Sequence, residues 1–231
     1  MYLDDLPELT QAKRLRAGAR GVAIRDGDRA VAVAFVAGGS LLPSGTLVRF
    51  DVTRGEDPSR RLADALTATG ARAIWFYGGD EATRRAALGL DLVLQPVGAA
   101  FVRRMDARAK GRVVFRAPSP ADRVALTDVL REAPGFRAPH VQVAEIDREP
   151  VGVVLSEALE GQWSETCAVV YEAHRGRGYG AALLAGAADR LESGGRRVCA
   201  AIEGVGGAAR TTLERAGFRL ADYYFTATRR S

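Results

Sequence analysis

The stretch Val169-Val-Tyr-Glu-Ala-His-Arg-Gly-Arg-Gly-Tyr-Gly180 runs an apolar, strand-like segment into a glycine-rich turn and then directly into an amphipathic helix. Gly176, Gly178 and Gly180 stand at alternate positions, so successive backbone N–H groups are unshielded where the unpaired amides and positive dipole end of a helix converge. This order makes a seat for an anion of pyrophosphate size, and Arg175 and Arg177 add positive charge to it. The helix carries Leu183, Leu184, Ala187, Ala188 and Leu191 on one face, and Gly194-Gly195 stand beyond its end.

Glycines also precede helices that bind nothing, and other phosphate loops share part of this pattern. A P-loop is excluded because no Gly-Lys-Ser/Thr closes the turn. Gly176, Gly178 and Ala181 formally satisfy the dinucleotide fingerprint, and Glu203 follows the next strand pattern. Only Gly204–Ser231 remain after that strand, too little chain for the further parallel strands and crossovers of a dinucleotide site. The anion seat is preferred to an unliganded strand-to-helix connection because motif and context agree.

Arg175-Gly-Arg-Gly-Tyr-Gly180 resembles the acyl-CoA loop, Gln/Arg-x-x-Gly-x-Gly/Ala, of the Gcn5-related N-acetyltransferases (GNAT). A strand Val198–Ile202 follows the helix, then a helical pattern from Ala208, then Arg215-Ala-Gly-Phe-Arg219, which is similar to the family's closing Gly-Phe before its last strands. Upstream, Val113–Arg116 and Ala121–Arg131 read as strand then helix, and Val141–Ile146 with Val151–Leu155 as a hairpin around Asp147-Arg-Glu-Pro150. The resemblance covers about Gly111–Ser231. It implies an α/β (α+β) mixed sheet with flanking helices, and acetyl-CoA as co-substrate at Ala168, Val169, Val170, Arg175, Gly176, Arg177, Gly178, Tyr179, Gly180 and Ala181.

The earlier half of the chain carries a similar plan. Gly21–Arg25, the turn Asp26–Arg29 and Ala30–Phe35 parallel the later hairpin, and Val48–Val52 leads into a helical run at Ser59–Leu66. Gly70–Phe76 echoes Gly195–Ala200, Leu88–Asp91 echoes Ala216–Arg219, and Phe101–Arg104 echoes Thr228–Arg230. Residues 1–108 therefore read as a degenerate, structural copy of the fold, joined through Asp106–Gly111 to an acyl-CoA-binding domain over 109–231. Its counterpart loop, Thr53-Arg-Gly-Glu-Asp-Pro-Ser59, keeps one glycine, while Glu56 and Asp57 repel phosphate and Pro58 removes a donor. Asp57-Pro58 also suits an ordinary helix start, in which case the repeat is coincidence.

Bulk properties narrow the partners. A chain of 231 residues with 47% hydrophobic residues buries a sizeable core in one or two domains. No apolar run reaches membrane-spanning length and Met1-Tyr-Leu-Asp-Asp5 lacks signal-peptide character, so the expectation is a cytoplasmic protein without a membrane partner. The net charge of +5 is spread through interspersed arginines, with Lys13 and Lys110 the only lysines. A basic stripe with interleaved aromatics is missing, which argues against nucleic acid, and a mildly basic surface suits a polyanionic coenzyme. Cys167 and Cys199 read as small buried hydrophobes, and His140 and His174 form no metal-ligand spacing, so no metal is expected. A monomer or homodimer is expected.

Acyl transfer to an alkyl amine of pKa about 10 needs a base, because the amine is mostly protonated at neutral pH. Glu165 opens the signature strand, where some GNAT members place a carboxylate, and is the first candidate. A slip of one residue would turn it to the other sheet face. Glu203 is the second candidate, and His140 or His174 could act through water. Counting back from Phe218, the family's usual Asn falls on Gly206 and its Tyr general acid on Leu213. A coenzyme thiol of pKa about 8.5 leaves tolerably unaided, and Tyr223 or Tyr224 are substitutes if they are not packing residues. The expected function is transfer of an acetyl group to a primary amine of a small molecule, with Arg137, His140 and Trp163 near the acceptor. The other class is a regulatory protein that holds acyl-CoA without turning it over.

Overall fold

The computed structural model describes residues 18–37, 45–104, 106, 113–132, 136, 139–159 and 161–229. In chain order the elements are β1 (Arg20–Asp26), β2 (Arg29–Val36), β3 (Thr46–Val52), α1 (Pro58–Thr69), β4 (Ala73–Tyr77), α2 (Glu81–Gly89), β5 (Val93–Arg103) and β6 (Val114–Arg116). They continue as α3 (Arg123–Glu132), β7 (His140–Ile146), β8 (Glu149–Ala158), β9 (Trp163–Val170), α4 (Tyr179–Ser193), β10 (Arg197–Glu203), α5 (Ala208–Arg215) and β11 (Phe218–Thr228). The architecture is a mixed, sheet-dominated α/β fold with flanking helices. Residues 107–111 of the expected linker, the expected acceptor neighbour Arg137, and residues 230–231 lie outside the described residues.

Two compact units share the chain, Met1–Gly98 with Asp222–Ser231, and Ala99–Ala221. In the first, β1, β2 and β3 pair antiparallel in turn, and β3 pairs parallel with β4 at Thr46↔Ala73 and Leu47↔Ile74. Antiparallel β11 completes it, from Tyr224↔Tyr77 to Thr228↔Ala73. Leu62, Ala65 and Leu66 of α1 and Ala86 and Ala87 of α2 bury their apolar face on Leu47, Phe50, Ile74 and Phe76. Asp57 caps α1 by accepting from the Ser59 N–H at 2.9 Å, and Pro58 takes the first turn. The buried Arg61 guanidinium gathers Glu56 at 2.7 Å, Asp26 at 2.8 Å and Asp64 at 3.0 Å.

The second unit carries the strand sequence β10-β9-β8-β7-β6, with β9 and β10 parallel and the others antiparallel. Leu183 and Ala187 of α4 pack on Ala144, Val151 and Val154, and Val129 of α3 packs on Val153 and Leu155 across the sheet. The start of α3 is fixed by Asp122, which accepts from the Ser119 N–H at 2.7 Å and from Arg116 at 2.8 Å. That guanidinium holds the Asp122 carboxyl well below the usual carboxylate range. The turn between β7 and β8 puts both Asp147 (φ +53°) and Arg148 (φ +67°) in the left-handed region, as a two-residue hairpin of type I′ requires.

One element departs from the sequence pattern. Where last strands were expected after the Gly-Phe, Phe218–Thr228 is one unbroken strand, since no glycine or proline interrupts it. Tyr223 and Tyr224 lie within it.

Candidate functional site

Hydrogen bonds at both ends of β9 fix which way its backbone points. The Leu159 N–H donates to the Trp163 carbonyl at 2.9 Å, and the Tyr171 N–H to the Val151 carbonyl at 3.0 Å. The register between them is continuous from Ala158↔Ser164 to Gly152↔Val170, so odd-numbered residues of β9 spend their backbone groups on β8. Even-numbered residues turn theirs toward β10, as the bond from the Arg197 N–H to the Gln162 carbonyl at 2.8 Å shows. The parallel ladder with β10 covers Arg197↔Trp163, Val198↔Ser164 and Cys199↔Glu165 and ends there. Both strands continue, β9 to Val170 and β10 to Glu203. The Thr166 N–H closes the last rung on the Cys199 carbonyl, so the Thr166 C=O and the backbone groups of Ala168 and Val170 face a gap that β10 does not fill. Among the expected coenzyme residues, Ala168 and Val170 point into it, while the Val169 backbone is committed to β8.

The gap leads to the glycine turn. Residues Glu172–His174 form a 3-10 turn, and Arg175 Nε donates to the Val170 carbonyl at 3.2 Å. Gly176 and Gly178 both take φ +80°, and a Cβ built on either would meet nothing within 4 Å. Both glycines are therefore needed for conformation and open onto free space, the arrangement of a backbone anion nest. Gly178 is the N-cap of α4 and supplies no side chain to the first-turn N–H groups of Tyr179, Gly180 and Ala181. Gly180 serves a different purpose: its Cβ would lie 3.1 Å from Thr212 Cγ2, so it lets α4 pack closely on α5. Arg177 is exposed beside the nest.

Side-chain faces follow from the same register. Val169 packs with the α3 cluster and Ala168 and Val170 with the α4 cluster, so odd residues face α3 and even residues α4. Glu165, 9% exposed, lies on the α3 face at the last rung of the ladder, where the gap opens. Glu157 stands opposite it on β8 and Cys199 beside it on β10. Trp163 shares that face, with the Arg197 guanidinium 4.3 Å from its ring centroid. Glu203, exposed at the end of β10, has the parity of Cys199 and lies beyond the ladder. His140 is opposite Ser156, which is opposite Thr166, so it occupies the other face from Glu165. His174 sits in the turn before Arg175 with Nε2 3.6 Å from Glu149 Oε1. Tyr224 belongs to the first unit, where it is buried with its ring 4.9 Å from that of Trp75, and Tyr223 gives its carbonyl to the Gly78 N–H at 2.8 Å. Among the described residues no His, Cys, Asp and Glu group could hold a metal ion, and no helix is long and apolar enough to cross a membrane.

A gap beside a strand whose backbone faces into it, ending at a nest on a helix N-terminus, suits an extended ligand with a phosphorylated end. Residues 109–218 match the acetyltransferase (GNAT) family. Solved structures similar along nearly the whole chain bear related descriptions. A GNAT-family acetyltransferase from Colwellia psychrerythraea is 12% identical, covers 100% of this chain and 98% of its own, and has a TM-score of 0.71. A GCN5-related N-acetyltransferase from Kribbella flavida is 16% identical over 100% and 96% of the two chains, with a TM-score of 0.64. A tandem GNAT protein from the clavulanic acid biosynthesis pathway is 15% identical over 92% and 84%, with a TM-score of 0.62. At these identities the likeness is one of fold. No curated protein matches the sequence.

Against the GNAT pattern, Leu213 is 3% exposed in the core-facing side of α5, and Gly206 is exposed with nothing within 4 Å of a Cβ. Two residues of the segment that matches the family escaped sequence reasoning. A Cβ on Gly152 would lie 2.5 Å from the Val169 carbonyl oxygen and 3.0 Å from Val170 Cα, so a glycine there lets β8 approach the end of β9. It lies within an apolar run, and only its pairing partner explains it. The Tyr171 hydroxyl is buried on the α3 face without a hydrogen-bond partner among the described residues, and burial pushes its phenol pKa up. Its aromatic character alone signalled packing.

Proposed function

We propose that the segment over 109–231 is an N-acyltransferase that moves an acetyl group from acetyl-CoA to a primary amine of a small molecule. The observation that carries this reading is the end of the β9–β10 ladder at Glu165↔Cys199, which leaves the Thr166 carbonyl and the Ala168 and Val170 backbone directed into a gap running to the nest at Gly176 and Gly178. GNAT proteins use acyl-CoA, and these groups fit it: the gap takes the amide-rich arm, and the nest, Arg175, Arg177 and the α4 N-terminus take its phosphates. Acetyl-CoA supplies an activated thioester. The chain's own part is to hold it, to offer gap-facing N–H groups to the carbonyl oxygen as negative charge develops there, and to remove the amine proton. Glu165 is the proposed base, supported by its place at the mouth of the gap on the α3 face, with Glu203 as the second carboxylate of that parity. The nitrogen attacks the carbonyl carbon, the new C–N bond replaces the C–S bond, the amine proton passes to the carboxylate, and the thiolate departs.

We further read residues 1–108 as a degenerate copy of the same fold. The recurring order of hairpin, strand, helix, strand, helix, strand supports this, as does the short parallel ladder at Thr46↔Ala73 and Leu47↔Ile74. Asp57 caps the helix end that would face an anion, and Glu56 is bound by Arg61. A second functional reading, an acyl-CoA-binding regulatory protein, is favoured by Leu213 and Gly206 at the family's Tyr and Asn positions. Turnover decides between them. Glu165→Gln should lower kcat against a reactive amine much more than acetyl-CoA affinity, with partial recovery at high pH, where the amine arrives neutral. Coenzyme binding without turnover on a broad amine panel would refute the transferase reading, and a silent Glu165→Gln beside an impaired Glu203→Gln would move the base to Glu203.

A further inference from the structure

No side chain anchors Gly176 or Gly178, and a Cβ on either would meet nothing within 4 Å. The position of the nest must be held from its flanks. On the near flank stands His174, whose side chain is 11% exposed. The ring reaches two other elements. Its Nε2 is 3.6 Å from Glu149 Oε1 at the start of β8, and its centroid is 6.3 Å from that of Tyr179, the first residue of α4 on the far flank of the turn. The His174 N–H donates to the Tyr171 carbonyl at 2.9 Å, which fixes the backbone under the ring. His174 Nδ1 is buried and finds no hydrogen-bond partner among the described residues.

Resting on the acyl-CoA reading above, we infer that His174 is a positioning residue for the coenzyme's phosphates. It fastens both flanks of the nest to β8, and in its protonated form it adds a positive charge beside the polyanion. Among the described residues, the titratable groups that meet the ring are Glu149 from β8 and Tyr179 from α4, and Glu172 and Arg175 are its charged neighbours along the turn. Glu149 is mostly exposed, so the ion pair by itself contributes little, and the buried ring supplies most of the restraint. Binding a polyanion next to an imidazole favours its charged form. By linkage, affinity must then fall as pH rises through the imidazole range.

Dephospho-CoA is the suitable probe, because its pyrophosphate does not titrate between pH 5.5 and 8 whereas a phosphate monoester does, with a pKa of about 6. The affinity of the native protein should fall about threefold over that range, and His174→Gln should bind about tenfold more weakly at pH 6 with a flat profile. Glu149→Gln should weaken binding less. A second measurement needs no variant. The chain has two histidines, so the imidazole Cε1–H spectrum holds two signals, and dephospho-CoA should raise the titration midpoint of His174 while leaving that of His140 in place. Undiminished binding by folded His174→Gln, or a midpoint that dephospho-CoA does not move, would overturn this inference alone. Absence of binding by the native protein would overturn the acyl-CoA reading and this inference with it.

Discussion

Gly178→Ala separates the cost of a backbone conformation from the cost of blocking a ligand. Gly178 has φ +80° and ψ 3°, a left-handed conformation that costs an L-residue roughly 1–2 kcal/mol. A Cβ there meets nothing within 4 Å, so no steric penalty is added in the free protein. For a chain of this length each kcal/mol lowers Tm by about 2–4 °C, giving an expected loss of about 2–8 °C. Gly195, just past the other end of α4, supplies a matched control. It has φ +77° and likewise nothing within 4 Å of a Cβ, so Gly195→Ala should cost the same stability. Of the two, only Gly178 belongs to the proposed phosphate nest. Calorimetric titration should therefore show acetyl-CoA affinity at least about tenfold weaker in Gly178→Ala, about 1.4 kcal/mol, and unchanged in Gly195→Ala. Equal affinities in the two variants alongside equal losses of Tm would refute the assignment of the nest.

Gly152→Ala should lower Tm by about 2–12 °C, from an overpacking cost of roughly 1–3 kcal/mol, because the new methyl strikes the Val169 carbonyl rather than a side chain that can rotate away. It should also weaken acetyl-CoA binding by displacing Val170, and a normal melting curve would contradict the close approach. Asp122→Asn should lower Tm at neutral pH. Since Arg116 depresses the Asp122 carboxyl, this stabilisation is fully present above the ordinary carboxylate pKa of about 3.9 and is lost as pH falls through the lower folded value. The difference in Tm between native protein and variant should thus be constant from pH 8 to pH 5 and close only in strong acid, and a gap that closes near neutrality would refute the Arg116 pairing. Coenzyme titration should saturate at one equivalent per chain, because Asp57 caps α1 and Glu56 is bound by Arg61, and two equivalents would contradict the reading of a degenerate first copy.

Properties set within a few residues of chain were legible in the sequence. The left-handed glycines at 176 and 178, the core face of α4 at Leu183, Leu184, Ala187 and Ala188, and the Asp57-Pro58 helix start follow from local sterics and hydrogen bonding, which act along the chain. Other properties depend on which remote segment lies alongside, and no local rule fixes that. The sequence places Glu165 in a strand, but only its pairing with Glu157 and Cys199 puts it on the α3 face at the last rung of the ladder. Three glycines look equivalent in Gly176-Arg-Gly-Tyr-Gly180, yet Gly180 answers to Thr212 and Gly152 to the Val169 carbonyl, contacts between elements distant in sequence. Tyr224 carries a hydroxyl that chemistry could use, and tertiary packing sets its ring against Trp75 instead. The gap itself is also a tertiary fact, because it exists only where two strands with uninterrupted strand patterns stop pairing.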